Sequence, residues 1–162
     1  MQRIFTVLVL AVVAAGMTIS AAQAGGGRHL QMYQTQGMFA DVKQDILNAV
    51  ANKGFVVDYV ARLGDMLKRT GPAVGSSKPI YEEAEMLQFC SAKYSRAAME
   101  IDPSNIVFCP YVIVVYTLPE DPKTVHVGYR RPMAGGSLAS RKALMEIESL
   151  LDGVVREALD MN

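Results

Sequence analysis

The sequence holds no tryptophan, two histidines and two cysteines in 162 residues, and its 16 basic residues are matched by 16 acidic ones. Each scarcity excludes something. Without a basic excess the chain lacks the surface that nucleic acid or an anionic membrane requires, so neither is expected as a partner. His29 and His126 stand far apart, and there is no His-Glu-x-x-His, no Cys-x-x-Cys-His and no second cysteine cluster, so neither a metal site nor a cofactor is expected. A Gly-x-Ser-x-Gly elbow, a Walker-type loop and a Gly-x-Gly-x-x-Gly after a strand are also missing, which leaves no catalytic residue to name. The methionines are scattered, as suits core filling.

Long apolar runs are scarce too, with one exception at the start. Met1-Gln2-Arg3 is a short positive opening, Ile4 to Met17 is almost wholly apolar, and Ala22-Gln23-Ala24 has the small-x-small pattern of signal peptidase sites. The run falls short of the ~20 residues of a membrane span, so a cleavable signal peptide over 1–24 is preferred to a retained anchor. No cysteine at the cleavage site offers a lipid anchor. The expected product begins at Gly25, is periplasmic or secreted, and has no stable membrane span. Its length suits one domain.

Periodicity orders the rest. Gly25-Gly26-Gly27 reads as a flexible terminus, and a first strand around Leu30 and Met32 completes a segment over 25–37. Phe39, Val42, Ile46, Leu47 and Val50 recur at helical spacing up to Gly54. Phe55 to Val60 reads as a strand, Leu63 to Lys68 as a short helix, and Pro72 to Pro79 as a loop. Tyr81 to Cys90 is a strand and Ser91 to Ile101 a helix stopped by Asp102-Pro103. Ile106 to Leu118, centred on Val112-Ile113-Val114-Val115, predicts the central strand. After a turn at Pro119 to Pro122, Thr124 to Arg131 alternates as its hairpin partner. Ser137 can cap a C-terminal amphipathic helix, within 133–162, whose stripe is Leu144, Ile147, Leu151, Val154, Val155 and Ala158. The fold class is α+β: one small domain with a mixed, mainly antiparallel sheet of four or five strands covered mainly on one face by helices.

The block over 38–132 carries a resemblance. Leu87-Gln88-Phe89-Cys90-Ser91-Ala92-Lys93-Tyr94-Ser95-Arg96, Asp102-Pro103-Ser104-Asn105-Ile106, Phe108-Cys109-Pro110-Tyr111 and Val125-His126-Val127-Gly128-Tyr129-Arg130-Arg131-Pro132 resemble the domain of unknown function 302 family. The resemblance implies a small α+β domain, often found in exported bacterial proteins and sometimes associated with sulfur-compound oxidation. It implies no catalytic residues, and the C-terminal helix is expected outside the shared block.

Cys90 and Cys109 are the residues with the most chemistry. In an oxidising compartment a structural disulfide is one reading; its loop of about twenty residues would contribute ~3 kcal/mol on the chain-entropy model. A reactive pair is another, with Cys90 at a helix start held as thiolate by the exposed amides and by Lys93, Arg96 or Arg130. Two free, buried thiols are the third. Tyr94, Arg96, Tyr129 and Arg130 form a candidate anion site, weighed against ordinary surface pairing of the arginines. Glu82, Glu83 and Glu85 read as a solvated strand edge.

Two function classes stay open: a non-enzymatic binding or accessory protein for a small molecule or protein partner, and a thiol-dependent redox or sulfur-transfer protein using Cys90 and Cys109. An open edge strand also makes a homodimer reasonable.

Overall fold

A β-branched run is poorly suited to a helix, and Tyr111–Leu118 lies in the middle of a sheet. A computed structural model describes residues 29–133 and 136–161. The expected signal peptide and Gly25 to Gly27 lie outside the described residues. In chain order the elements are β1 (Leu30–Gln36), α1 (Phe39–Asn52), β2 (Val57–Ala61), α2 (Leu63–Thr70), β3 (Glu83–Phe89), α3 (Ala92–Ile101), β4 (Tyr111–Leu118), β5 (Asp121–Arg130) and α4 (Leu138–Ala158). Short 3-10 turns cover Gly71–Val74 and Pro103–Phe108.

The five strands run in the order β1-β5-β4-β3-β2. Every pairing is antiparallel, so the sheet is not mixed. Along β4 the odd-numbered Tyr111, Ile113, Val115 and Thr117 are buried in the core with α1 and α4, while the even-numbered residues are half-buried on the other face. Ile46, Val50, Leu144, Ile147, Leu151, Val154 and Val155 supply the helical side of that core. Each such side chain contributes roughly 1.5–3 kcal/mol on burial. Among the described residues no helix is long and apolar enough to cross a membrane.

Local chemistry sets the boundaries. The Ser137 hydroxyl accepts from the Ser140 amide at 3.1 Å and starts α4. Gly54, at φ +80°, lets the chain leave α1 in the left-handed region. Strands β2 and β3 both start two residues later than expected, and two further boundaries differ for a local reason. Ile106 to Phe108 are not strand: Asp102 accepts from the Ser104 amide at 2.9 Å, Pro103 fixes the first turn, and Asn105 is buried with its amide on the Ala98 carbonyl and the Ser140 hydroxyl, both at 2.9 Å. Cap and buried amide outweigh the β-propensity of Ile106 and Val107, which stay exposed. Asp121 and Pro122 belong to β5 rather than to the turn, leaving a tight reversal at Pro119-Glu120. Glu85 is also not a solvated edge residue; it is partly buried and lies 3.1 Å from the Lys43 ammonium of α1.

Candidate functional site

The register of β3 against β4 brings the cysteines to one corner. Phe89 pairs with Tyr111, so Cys90 leaves the ladder at the end where Cys109 approaches it. The 3-10 turn after α3 returns the chain, and the Cys109 amide closes that turn on the Ile106 carbonyl at 3.0 Å. A cis peptide bond joins Cys109 to Pro110. The side chains of Cys90 and Cys109 are near enough to interact, and both are free thiols. Cys90 is exposed as a residue and Cys109 is half-buried.

The corner is built from two more hydroxyls. Ser91 caps α3, accepting from the Tyr94 amide at 3.4 Å, and this sets Ser95 one turn further along. The Ser95 hydroxyl lies 3.1 Å from Cys109 Sγ and 3.0 Å from the Tyr111 hydroxyl. Beneath them Tyr111 meets Phe89 edge-on at 5.7 Å, and Phe89 stacks with Phe55 at 6.0 Å. Buried aromatics thus hold the sulfur pair on a rigid floor.

The electrostatics reverse one expectation. Ser91, not Cys90, occupies the cap of α3, so Cys90 sits outside the first turn where the helix amides would favour a thiolate. Burial of the sulfur, the neighbouring Cys109 thiol and the Asp58 carboxylate push the Cys90 thiol up to about 11. Asp58 is supplied by an irregularity in β2, where pairing skips between Val57 and Tyr59. The Tyr111 hydroxyl is raised to about 12, chiefly by burial. At neutral pH Cys90 therefore keeps its proton.

The four anion candidates are placed separately. Arg96 is exposed and paired with Glu100 at 2.7 Å on its own helix, and Tyr94 packs against the core. Tyr129 is buried on β5, and its hydroxyl donates to Asp152 of α4 at 3.0 Å; Tyr33 donates to the same carboxylate oxygen. Arg130 alternates to the opposite face and is exposed. The surface-pairing alternative describes Arg96. Asp152 was legible only as half of Glu148 and Asp152, four apart at the margin of an apolar stripe. Ser95 had no separate signal; it emerges from the return of the chain after α3.

Among the described residues no group of three or more His, Cys, Asp and Glu is placed to hold a metal ion. His126 stacks on Tyr116, ring centres 4.6 Å apart, and burial lowers its pKa.

The family model for the domain of unknown function DUF302 matches residues 31–161, taking in β1 and α4 as well as the block 38–132 that carried the resemblance. The C-terminal helix thus lies inside the matched region. No curated protein matches the chain. An uncharacterized conserved DUF302 protein from Bacillus stearothermophilus, solved by crystallography, shares the fold with a TM-score of 0.69 and 15% identity, over 82% of this chain and 99% of that one. With the family model spanning most of its length, the chain belongs to the DUF302 family, a domain of unknown function.

Proposed function

We propose that this chain is an exported accessory protein whose working group is the Cys90–Cys109 dithiol, exchanging an electron pair with the disulfide of a partner. One observation carries the reading: the chain has two cysteines, and the fold makes their side chains neighbours at one corner where the Cys90 residue is exposed. Cys90 loses its proton to solvent and attacks one partner sulfur; the partner's S–S bond breaks and the leaving thiolate takes a proton. Cys109 then loses its proton and attacks the Cys90 sulfur of the mixed disulfide. The Cys90–Cys109 bond forms, and the second partner thiolate leaves and is protonated. The protein dithiol has been oxidised and one partner disulfide reduced to two thiols.

The raised Cys90 thiol sets the direction. With the thiolate disfavoured, the reduced form gains no stability from ionisation, and the pair is drawn to the disulfide in an oxidising compartment. The same observation favours a second reading, in which the bridge closes once and simply ties β3 to β4.

Thiol counting on native protein separates them. In the exchange reading, millimolar dithiothreitol opens the bridge without denaturant, and Cys109→Ser traps a long-lived mixed disulfide on Cys90. A bridge that opens only after unfolding selects the structural reading. Failure to form any bridge under air or oxidised glutathione sinks both.

A further inference from the structure

We infer that a cleft remote from the dithiol, between α2 and the segment that follows it, is a binding site for a small amphiphile with an alkyl tail and an anionic carboxylate head. The segment from Leu63 to Glu82 is built unlike the rest of the molecule. Helix α2 buries none of its residues, although Leu63, Met66 and Leu67 are apolar. It is held by a close approach to β3, where a Cβ on Gly64 would come 2.9 Å from the Ala84 amide nitrogen. Beyond it the 3-10 turn folds the chain back: the Ser76 amide donates to the Gly71 carbonyl at 2.9 Å, and the Glu82 amide reaches the Thr117 carbonyl of β4 at 3.0 Å.

This return leaves a cleft of about 400 Å³. That volume falls within the range of small-molecule sites, which are mostly apolar with a few polar groups that fix orientation. Leu67, Pro72, Val74, Pro79, Ile80 and Tyr81 contribute the apolar lining. Val74 is 76% and Ile80 53% exposed, so these groups face water until something covers them. The head-group preference follows from charge. Lys68 and Lys78 line the same cleft with one carboxylate, Glu82, and among the described residues neither lysine is in an ion pair. The cleft therefore carries a net positive charge beside an apolar wall. A carboxylate head meets the lysines while the tail covers Val74 and Ile80, which a short inorganic anion cannot do and a cationic amphiphile would do against repulsion.

Calorimetric titration of the folded protein with octanoate, decanoate and dodecanoate, each below its micellar concentration, tests the site. Affinity is expected to rise about fourfold per added methylene. Decanoate should bind at least tenfold tighter than decanol or decyltrimethylammonium. Lys68→Gln with Lys78→Gln should abolish the preference over decanol while retaining the chain-length trend, and Val74→Asp should remove binding with no change in Tm. Equal affinity for the three decyl compounds, no dependence on chain length, or binding to phosphatidylglycerol vesicles but not to monomeric carboxylate would overturn the inference. The dithiol reading stands or falls separately, because Cys90→Ser with Cys109→Ser should leave decanoate binding unchanged.

Discussion

At the Cys90–Cys109 corner the pH dependence of stability has a sign that can be worked out. The Cys90 thiol titrates near 9.0 when unfolded and at about 11 in the fold, so between those values the native state holds a proton that the unfolded state has lost. The stabilisation is complete below the unfolded value and disappears as pH rises through the folded one. Tyr111, raised to about 12, adds to the loss above pH 10. Reduced protein should therefore lose denaturation free energy from pH 9 to 11 more steeply than the disulfide form, in which Cys90 has no proton to release. Urea titrations of the two forms at pH 8, 9, 10 and 11 measure this; parallel curves would refute it. The two cysteines were visible in the sequence as the chain's whole thiol inventory. Their environment was not, because the cap of α3 falls one residue later than the helix-terminus argument needs, and Asp58 reaches the corner through a strand irregularity that leaves no pattern.

Among the elements, β1 is an edge strand with one strand neighbour. It pairs with β5, where Met32 stands opposite Gly128, and a Cβ at Gly128 would lie 2.5 Å from the Gln31 carbonyl oxygen and also collide with the Met32 side chain. Gly128→Ala should cost about 1–3 kcal/mol through this overpacking. Faster hydrogen exchange should be confined to the amides of β1 and its partner strand, and an unchanged Tm would show that the strand accommodates the methyl. Gly128 was visible in the sequence as part of a Val-Gly-Tyr run, yet nothing there says that a neighbouring backbone comes so close. The elements that read correctly are those with long, unambiguous periods: the α4 stripe, the α1 stripe and the Val112 to Val115 run. Two of the shifts fall where proline and capping side chains compete with propensity, at Pro103–Phe108 and at Asp121-Pro122.

For the molecule as a whole, the family and the α+β class were legible, because alternation and helical spacing report which faces are buried. The strand order was not, since no local signal says that the first strand joins the last. Leu30 lies opposite Arg130, and Tyr33 is bonded to Asp152, 119 positions away in the sequence. A fragment ending at Glu120 lacks both β5 and α4, and it should show no cooperative unfolding transition by circular dichroism; a sigmoidal transition would mean that the remaining strands hold a core alone. The same arrangement bears on how the chain is delivered. Whether it leaves a ribosome or a narrow channel with the N-terminus leading, β1 emerges well before its only strand partner β5, so that pairing closes late. The edge of the sheet is therefore laid down last, when Asp121–Arg130 arrives to receive the strand that led the way.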